Sequence, residues 1–166
     1  MATQIDGSLG INKVNPTALP GIMPAGSVLQ VVSATYSTIE NTSSVTFSNT
    51  GITATITPNS ITSKILVLVS INGCGKYTTN TAGALRIIRN SVSIINIDSM
   101  IGYTNNTNTV DGSSSATILD SPSTTSSITY TVQKASGSNS NYFYINDYYN
   151  TIGPTTSTIT LMEIAG

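Results

Sequence analysis

Apolar and polar residues alternate along most of the chain after residue 27, with the two-residue period that is typical of β-strands. In residues 52–56, Ile52, Ala54 and Ile56 alternate with threonines, which indicates a strand with one buried face. Residues 64–71 (KILVLVSI) form a short apolar run rich in β-branched residues. The run is too short for a helix of that hydrophobicity, so it predicts a central core strand.

The same pattern predicts further strands, which are separated by turn-forming residues. Residues 84–89 and 92–97 flank Asn90-Ser91 and predict a hairpin with a two-residue turn. A loop rich in Gly, Asn and Thr is predicted over 102–113. Other strands are predicted from Val28 onward and at 114–119, 127–134, 141–148 and 156–164. No window favours a helix longer than one turn, so we expect an all-β chain, an antiparallel jelly-roll sandwich of about 8–10 strands.

Residues 1–26 differ from the rest because their prolines and glycines are too dense for a regular element. A pure linker would not need the large apolar residues that are spaced through this segment. They are Ile5, Leu9, Ile11, Val14, Leu19, Ile22 and Met23. We therefore predict an extended N-terminal anchoring arm over 1–26 that docks onto another surface or between subunits, followed by a β domain over 27–166. The alternative is an arm folded back onto its own domain.

The composition narrows the class of protein. Only 13 residues (8%) are charged, whereas 67 are Thr, Ser or Asn. The net charge of −1 gives no electrostatic footprint for nucleic acid or an anionic membrane, and no apolar run is long enough for membrane insertion. So few charges also leave strand edges poorly protected against pairing, which favours an oligomer that covers them.

Candidate chemistry is sparse. The chain has no His, and its single cysteine, Cys74, has no basic partner that could make it a nucleophile. The carboxylates of Asp98, Asp111, Asp120 and Asp147 lack the spacing of a calcium loop, and we interpret them as turn or strand-end caps. We therefore expect no enzyme activity, no cofactor and no metal.

The most prominent candidates for binding are aromatic. Five of the ten aromatic residues fall within eight positions: Tyr142, Phe143, Tyr144, Tyr148 and Tyr149. Strand alternation puts Tyr142 and Tyr144 on one face and Phe143 on the other. Tyrosines among Asn and Asp can stack on a sugar ring or form a protein contact. The alternative is that one face fills the core and the other packs along a trimer axis.

A second pair of candidates is Arg86 and Arg89. They are three residues apart on a predicted strand and therefore point to opposite sides. We expect them to contact a receptor or a neighbouring subunit, and pairing with Asp98 or Asp120 across subunits is favoured over capture of a ligand.

An ordered series of segments resembles a known family. They are PAGSVLQVVS (24–33), ITATITP (52–58), SKILVLVS (63–70), LDSP (119–122), SITYTV (127–132) and TITLMEIA (158–165). Together they are similar to bacteriophage virion-surface domains that are common at the C-terminal ends of tail-fibre proteins, including those of cyanophages. The resemblance covers about residues 24–166 and implies a trimeric jelly roll like that of tumour necrosis factor and C1q.

The resemblance also implies a function. It predicts a homotrimeric short tail-fibre or receptor-binding module on the virion surface, assembled in the bacterial host cytoplasm and held by its arm on tail or baseplate proteins. Many fibre proteins carry a long shaft before this domain, whereas only a short arm precedes it here. One alternative is therefore a capsid decoration (cement) protein that staples major capsid subunits. Another is a module that binds or degrades a host surface glycan.

Overall fold

The structure, a computed structural model, describes residues 23–105, 110–138, 141–147 and 153–166. These residues form two packed antiparallel sheets without helices, so the all-β sandwich predicted from the sequence is confirmed. In this part of the chain no helix is long and apolar enough to cross a membrane. The strands are β1 (Val28–Tyr36), β2 (Glu40–Thr42), β3 (Ser48–Ile56), β4 (Lys64–Lys76), β5 (Thr81–Arg89), β6 (Val92–Thr104), β7 (Val110–Asp120), β8 (Ile128–Ser136), β9 (Phe143–Ile145) and β10 (Ser157–Ile164).

The first sheet, sheet A, is built around β4. One edge of β4 pairs with β10 over Lys64–Ser70 and then with β9 over Gly75 and Lys76. The other edge of β4 pairs with β7. Because β1 lies beyond β10 and β2 lies beyond β9, the main order is β1-β10-β4-β7, with β9 and β2 at one end.

The second sheet, sheet B, has the order β3-β8-β5-β6. Its β5–β6 hairpin turns at Asn90 and Ser91, as the sequence predicts. Asn90 has a φ of 54°, a left-handed conformation that asparagine tolerates better than most residues.

Alternation along the strands builds the core between the sheets. On β4, the odd-numbered residues from Ile65 to Ile71 point inward and are buried, whereas Leu66 and Leu68 lie on the outer face and are half-buried. The strand predicted over 64–71 therefore lies in the middle of sheet A, as expected, and one of its faces lies in the core. The largest fully buried apolar side chains are Ile52, Ile56, Ile65, Ile71, Leu85, Ile87, Tyr130, Phe143, Ile145, Ile159 and Leu161.

The predicted bounds of the loop over 102–113 are wrong. Strand β6 continues to Thr104 and β7 begins at Val110. The Gly, Asn and Thr residues there suggested a loop, but Thr104 pairs with Thr81 in the β5–β6 hairpin, and Val110 pairs with Lys76 between β7 and β4. Tertiary pairing thus overrides the weak local preference for strand.

The strand predicted over 141–148 is also wrong in its bounds. Only Phe143–Ile145 pair as a strand, because Asn146 takes a left-handed φ of 56° that ends the extended conformation. The sequence analysis did not predict β2 at all, since its three polar residues carry no alternating pattern.

The sandwich has two distinct ends, which we call the near end and the far end. At the near end the chain arrives at β1: the amide of Gly26 donates to the carbonyl of Ala165 (2.8 Å), and β4 begins beside them with Lys64 opposite Ile164. At the far end β4 finishes at Lys76. The 13 residues of β4 separate the two ends by about 40 Å, at roughly 3.3 Å per residue.

Most of the described charged side chains do not face solvent. Lys76, Lys134, Asp147 and Glu163 are buried, and Arg86, Arg89, Glu40 and Asp120 are partly buried. Among the charged side chains whose burial the structure describes, only Lys64 and Asp98 are exposed. The exterior described here is therefore polar through its hydroxyl and amide groups, and very few charges contribute to it.

Candidate binding surface

The short strand β9 presents two tyrosines on its outer side. Phe143 is fully buried between Tyr142 and Tyr144, and its ring lies directly over the Cα of Gly83. A Cβ at Gly83 would come within 2.0 Å of the Phe143 ring, so only glycine allows this close approach. Tyr142 is 49% exposed and Tyr144 is half-buried, so the alternation predicted for these three residues is present.

A third tyrosine joins them from a distant part of the sequence. Tyr77 follows β4, and its ring contacts Tyr144 edge-on, with ring centroids 4.7 Å apart. Tyr142 lies on the other side, 6.1 Å from Tyr144 between centroids. Sequence analysis missed Tyr77, because only the pairing of β9 with the end of β4 brings it there. We call Tyr77, Tyr142 and Tyr144 the tyrosine cluster; it lies at the far end.

A carboxylate completes the cluster. The hydroxyl of Tyr77 donates to the carboxylate of Asp147. The pKa of the Tyr144 phenol is raised above its usual value, first by burial and then by the negative charge of Asp147 and by Tyr142. Tyr144 therefore stays a neutral phenol, able to donate one hydrogen bond, across the physiological pH range.

The turn that follows β9 is held tightly against the chain after Ile71. The amide of Asn146 donates to the carbonyl of Asn72 (2.9 Å), and the amide of Asp147 donates to the carbonyl of Gly73 (3.2 Å). Gly73 has a φ of 57°, and a Cβ there would come within 2.5 Å of the Asp147 backbone. The Asn146 side chain accepts a hydrogen bond from Ser157 and donates one to the carbonyl of Thr38. These contacts fix the position of Asp147.

Beneath the cluster, Lys76 is fully buried at the end of β4. Its ammonium group donates to the carbonyl of Thr78 (2.8 Å) and to the carbonyl and hydroxyl of Thr104 (3.0 and 2.7 Å). These bonds join the end of β4 to the end of β6. The tyrosine cluster is thus built on a rigid base, which reduces the entropy lost when a partner binds.

The chemistry of the tyrosine cluster is that of phenol rings beside one carboxylate. Within the described ranges no group of three His, Cys, Asp or Glu residues could hold a metal ion. Exposed phenol rings beside a carboxylate can stack on a sugar ring or pack in a protein interface. The predicted contact residues Tyr148 and Tyr149 lie outside the described residues.

The two arginines are engaged within the chain. Arg89 forms a 2.6 Å ion pair with Asp120, and the same carboxylate accepts a 2.7 Å hydrogen bond from Tyr130. Burial, and then the Asp120 carboxylate, raise the pKa of Tyr130 well above its usual value. The pairing with Asp120 expected between subunits is therefore made inside one chain, which corrects that prediction.

Arg86 points to the opposite side, as its position on the strand predicts. Its guanidinium carbon lies 4.1 Å from the centroid of the Phe47 ring, and its Nε donates to Gln133 (2.7 Å). The expected pairing of an arginine with Asp98 is not among the contacts of the described residues, where the Asp98 carboxylate accepts bonds from the amides of Ser99 and Met100 instead.

Sheet A carries an apolar patch on its outer side, which we call the apolar face. Strand register aligns Val31, Met162, Leu66 and Leu119 in one row across β1, β10, β4 and β7. Val28 pairs with Ile164 in the next row toward the near end, and Leu68 lies in the row on the other side. The apolar face thus comprises Val28, Val31, Leu66, Leu68, Leu119, Met162 and Ile164.

Solvent reaches the edges of this face: Val31 is 55% exposed and Leu119 is 50% exposed. Contiguous exposed apolar patches are uncommon on monomers and typically mark interaction sites. The alternation within β1, β4 and β10 indicates which residues lie on the outer face. The register between these strands, which aligns the row, cannot be read from the sequence. The apolar residues of the predicted arm, Ile5, Leu9, Ile11, Val14, Leu19 and Ile22, lie outside the described residues.

Searches of protein-family models and of curated proteins found no match to this chain. The chemistry of these surfaces is therefore the basis for a functional proposal.

Proposed function

We propose that this protein is a non-enzymatic structural component of a bacteriophage virion surface, a homotrimeric short tail-fibre or receptor-binding module anchored by its N-terminal arm. The observation that carries the proposal is the separation of two features along β4. The chain arrives at the near end, beside Gly26 and Ala165, and the tyrosine cluster lies at the far end. A module anchored at the near end presents its aromatic rings about 40 Å away from the anchor.

The connections between strands support a jelly roll as the finer fold. The chain passes from one sheet to the other after β2, β3, β4, β6, β7 and β8, and the β5–β6 hairpin stays within sheet B. The resulting orders, β1-β10-β4-β7 and β3-β8-β5-β6, give two four-stranded sheets connected across the core. This is the arrangement expected of an eight-stranded jelly roll, and β2 and β9 extend it at the far end.

The apolar face supports self-association. It presents seven large apolar side chains on a sheet with few charges nearby, and a second copy of the chain would remove them from water. The homotrimer is the assembly that the family resemblance implies.

The virion location is tested by labelling intact particles with an antibody to residues of the β domain and imaging them by electron microscopy. Label on the tail or baseplate supports the fibre module. Label distributed over the head would instead support the capsid decoration protein, which an apolar arm that staples capsid subunits would also fit. Deleting residues 2–23 should release the protein from particles as an assembled trimer; a truncated protein that remains bound contradicts the anchoring role of the arm.

A further inference from the structure

A second candidate binding site lies on sheet B, on the other side of the sandwich from the apolar face. A cleft of about 440 Å³ opens there, which falls within the range of about 300–1,000 Å³ that is usual for small-molecule sites. Its lining residues are Phe47, Ala84, Asn96, Ile97, Asp98 and Ser99. Because sheet A carries the apolar face, self-association through that face leaves this cleft open.

The apolar wall of the cleft is a fixed aromatic ring. Phe47 is half-buried, and the guanidinium of Arg86 covers one of its faces at 4.1 Å. Arg86 is held in turn by Gln133, whose amide donates to Asn49 (2.7 Å). A ligand in the cleft therefore meets the remaining surface of a ring whose position is already set.

The polar rim consists of a carboxylate and an amide. One oxygen of Asp98 accepts hydrogen bonds from the amides of Ser99 (2.6 Å) and Met100 (2.9 Å), which orients the carboxylate. Its second oxygen makes no hydrogen bond within the described residues. Asn96 is exposed and lies opposite Arg86 in the strand register, so its amide can both donate and accept at the rim.

From these groups we infer that the cleft binds a neutral saccharide. The C–H face of the sugar ring packs against Phe47. Two neighbouring sugar hydroxyls donate to the Asp98 carboxylate, and the Asn96 amide forms a hydrogen bond with a further hydroxyl. The Asp98 carboxylate in the lining and the Arg86 guanidinium over Phe47 carry opposite charges, so the cleft has little net charge to attract an ionised sugar. This goes beyond the proposed virion role, because a single chain can bind sugar in this way regardless of where it is assembled.

The test is a nuclear magnetic resonance titration of the full, isotopically labelled chain with glucose, galactose, mannose and N-acetylglucosamine at millimolar concentration. We expect at least one sugar to shift the amide signals of residues 84 and 96–99. Phe47→Leu should raise the dissociation constant about tenfold, the effect of losing one aromatic stacking contact. Asn96→Ala should weaken binding in the same direction, and the exposed position of Asn96 makes this variant safe for the fold.

Tyr103→Leu is the matched control, since it removes an exposed ring from β6 that does not line the cleft and should leave sugar affinity unchanged. The inference is overturned if none of the four sugars shifts these signals, or if Phe47→Leu and Asn96→Ala both bind as tightly as the unmodified chain. Loss of binding only in a further variant, Tyr142→Leu, would assign the sugar to the tyrosine cluster and also overturn the cleft. Virion labelling does not depend on these outcomes, so the two proposals fail separately.

Discussion

Val31 and Leu119 lie on opposite edge strands of sheet A, yet their side chains belong to one straight row. Met162 and Leu66 stand between them, each directly opposite its neighbour in the antiparallel register. Three strand spacings of about 4.8 Å make the row about 14 Å long. An apolar row of this kind on the outside of a sheet is the geometry of a surface that packs against another sheet.

We expect this row to form the contact between subunits of the proposed trimer. Replacing Leu119 by Lys places a charge at the exposed edge of the apolar face, where desolvating it would oppose association. The fold of the single chain should survive, since Leu119 is half exposed. Sedimentation analysis should show the proposed trimer for the unmodified chain and a monomer for Leu119→Lys. Thr55→Lys, on the outer face of sheet B, is the control and should remain trimeric; a trimeric Leu119→Lys would contradict this use of the face.

The close packing of Phe143 on Gly83 gives a prediction about stability. Gly83→Ala should lower the free energy of unfolding by about 1–3 kcal/mol, because the added Cβ would come within 2.0 Å of the Phe143 ring and force it to move. Chemical denaturation measures the change. Gly112→Ala is the control, since a Cβ there meets nothing within 4 Å.

A second variant identifies the cause. If the loss arises from this collision, Phe143→Leu combined with Gly83→Ala should be less destabilised than the sum of the two single variants. If the losses of unfolding free energy in the two single variants simply add, the loss in Gly83→Ala arises from the backbone at Gly83 and not from its contact with the Phe143 ring.

The sequence was sufficient to predict the class of fold, because alternation is a local signal and the core follows from it. Ile52, Ala54 and Ile56 fall inward as their spacing predicts. It was not sufficient to predict the surfaces, because these depend on register between distant strands. Tyr77 meets Tyr144, and Phe47 meets Arg86, only after the sheets have assembled. No periodicity within one segment carries that information.

Glu163 makes stability dependent on pH at the near end. It is fully buried and accepts hydrogen bonds from the Gln30 side chain (2.6 Å) and from the amide and side chain of Asn59 (2.7 and 2.8 Å). Burial by itself would raise the pKa of Glu163, but the neighbouring Ser63 hydroxyl, together with the bonds from Gln30 and Asn59, outweighs it and holds the pKa below the usual value. The carboxylate therefore stabilises the fold above the usual pKa of a glutamate, and this contribution disappears as the pH falls through the lowered value.

Glu163→Gln tests this directly. At neutral pH it should lower the free energy of unfolding by about 2 kcal/mol, because the new amide presents donors to the donors of Gln30 and Asn59. Denaturation curves measured at decreasing acid pH should show that the difference in unfolding free energy between the two proteins becomes smaller. Asp98→Asn, at an exposed carboxylate, should change stability by no more than about 0.5 kcal/mol. If this difference in unfolding free energy stays constant down to strongly acid pH, the charge of Glu163 is not its cause.

The tyrosine cluster gives a prediction about adsorption. Tyr142→Ala removes an exposed ring that makes a tilted contact with Tyr144, and virions carrying it should adsorb to host cells more slowly by about tenfold if the cluster is a contact hot spot. Adsorption is measured as the loss of free particles with time. Val92→Ala, which removes an exposed apolar side chain at the start of β6, away from the far end, is the control and should adsorb normally. Equal adsorption by both variants would exclude Tyr142 from the host contact.

The placement of charge inside the sandwich has a consequence for the medium in which the protein works. Lys134 pairs with Glu40, Arg89 pairs with Asp120, and Lys76 is held by backbone carbonyls and a hydroxyl, so these groups contribute little to the field outside. Dissolved ions weaken interactions between exposed charges and leave contacts of hydroxyls, amides and apolar groups nearly unchanged. Encounters made through the described surface should therefore proceed at similar rates in fresh water and in seawater.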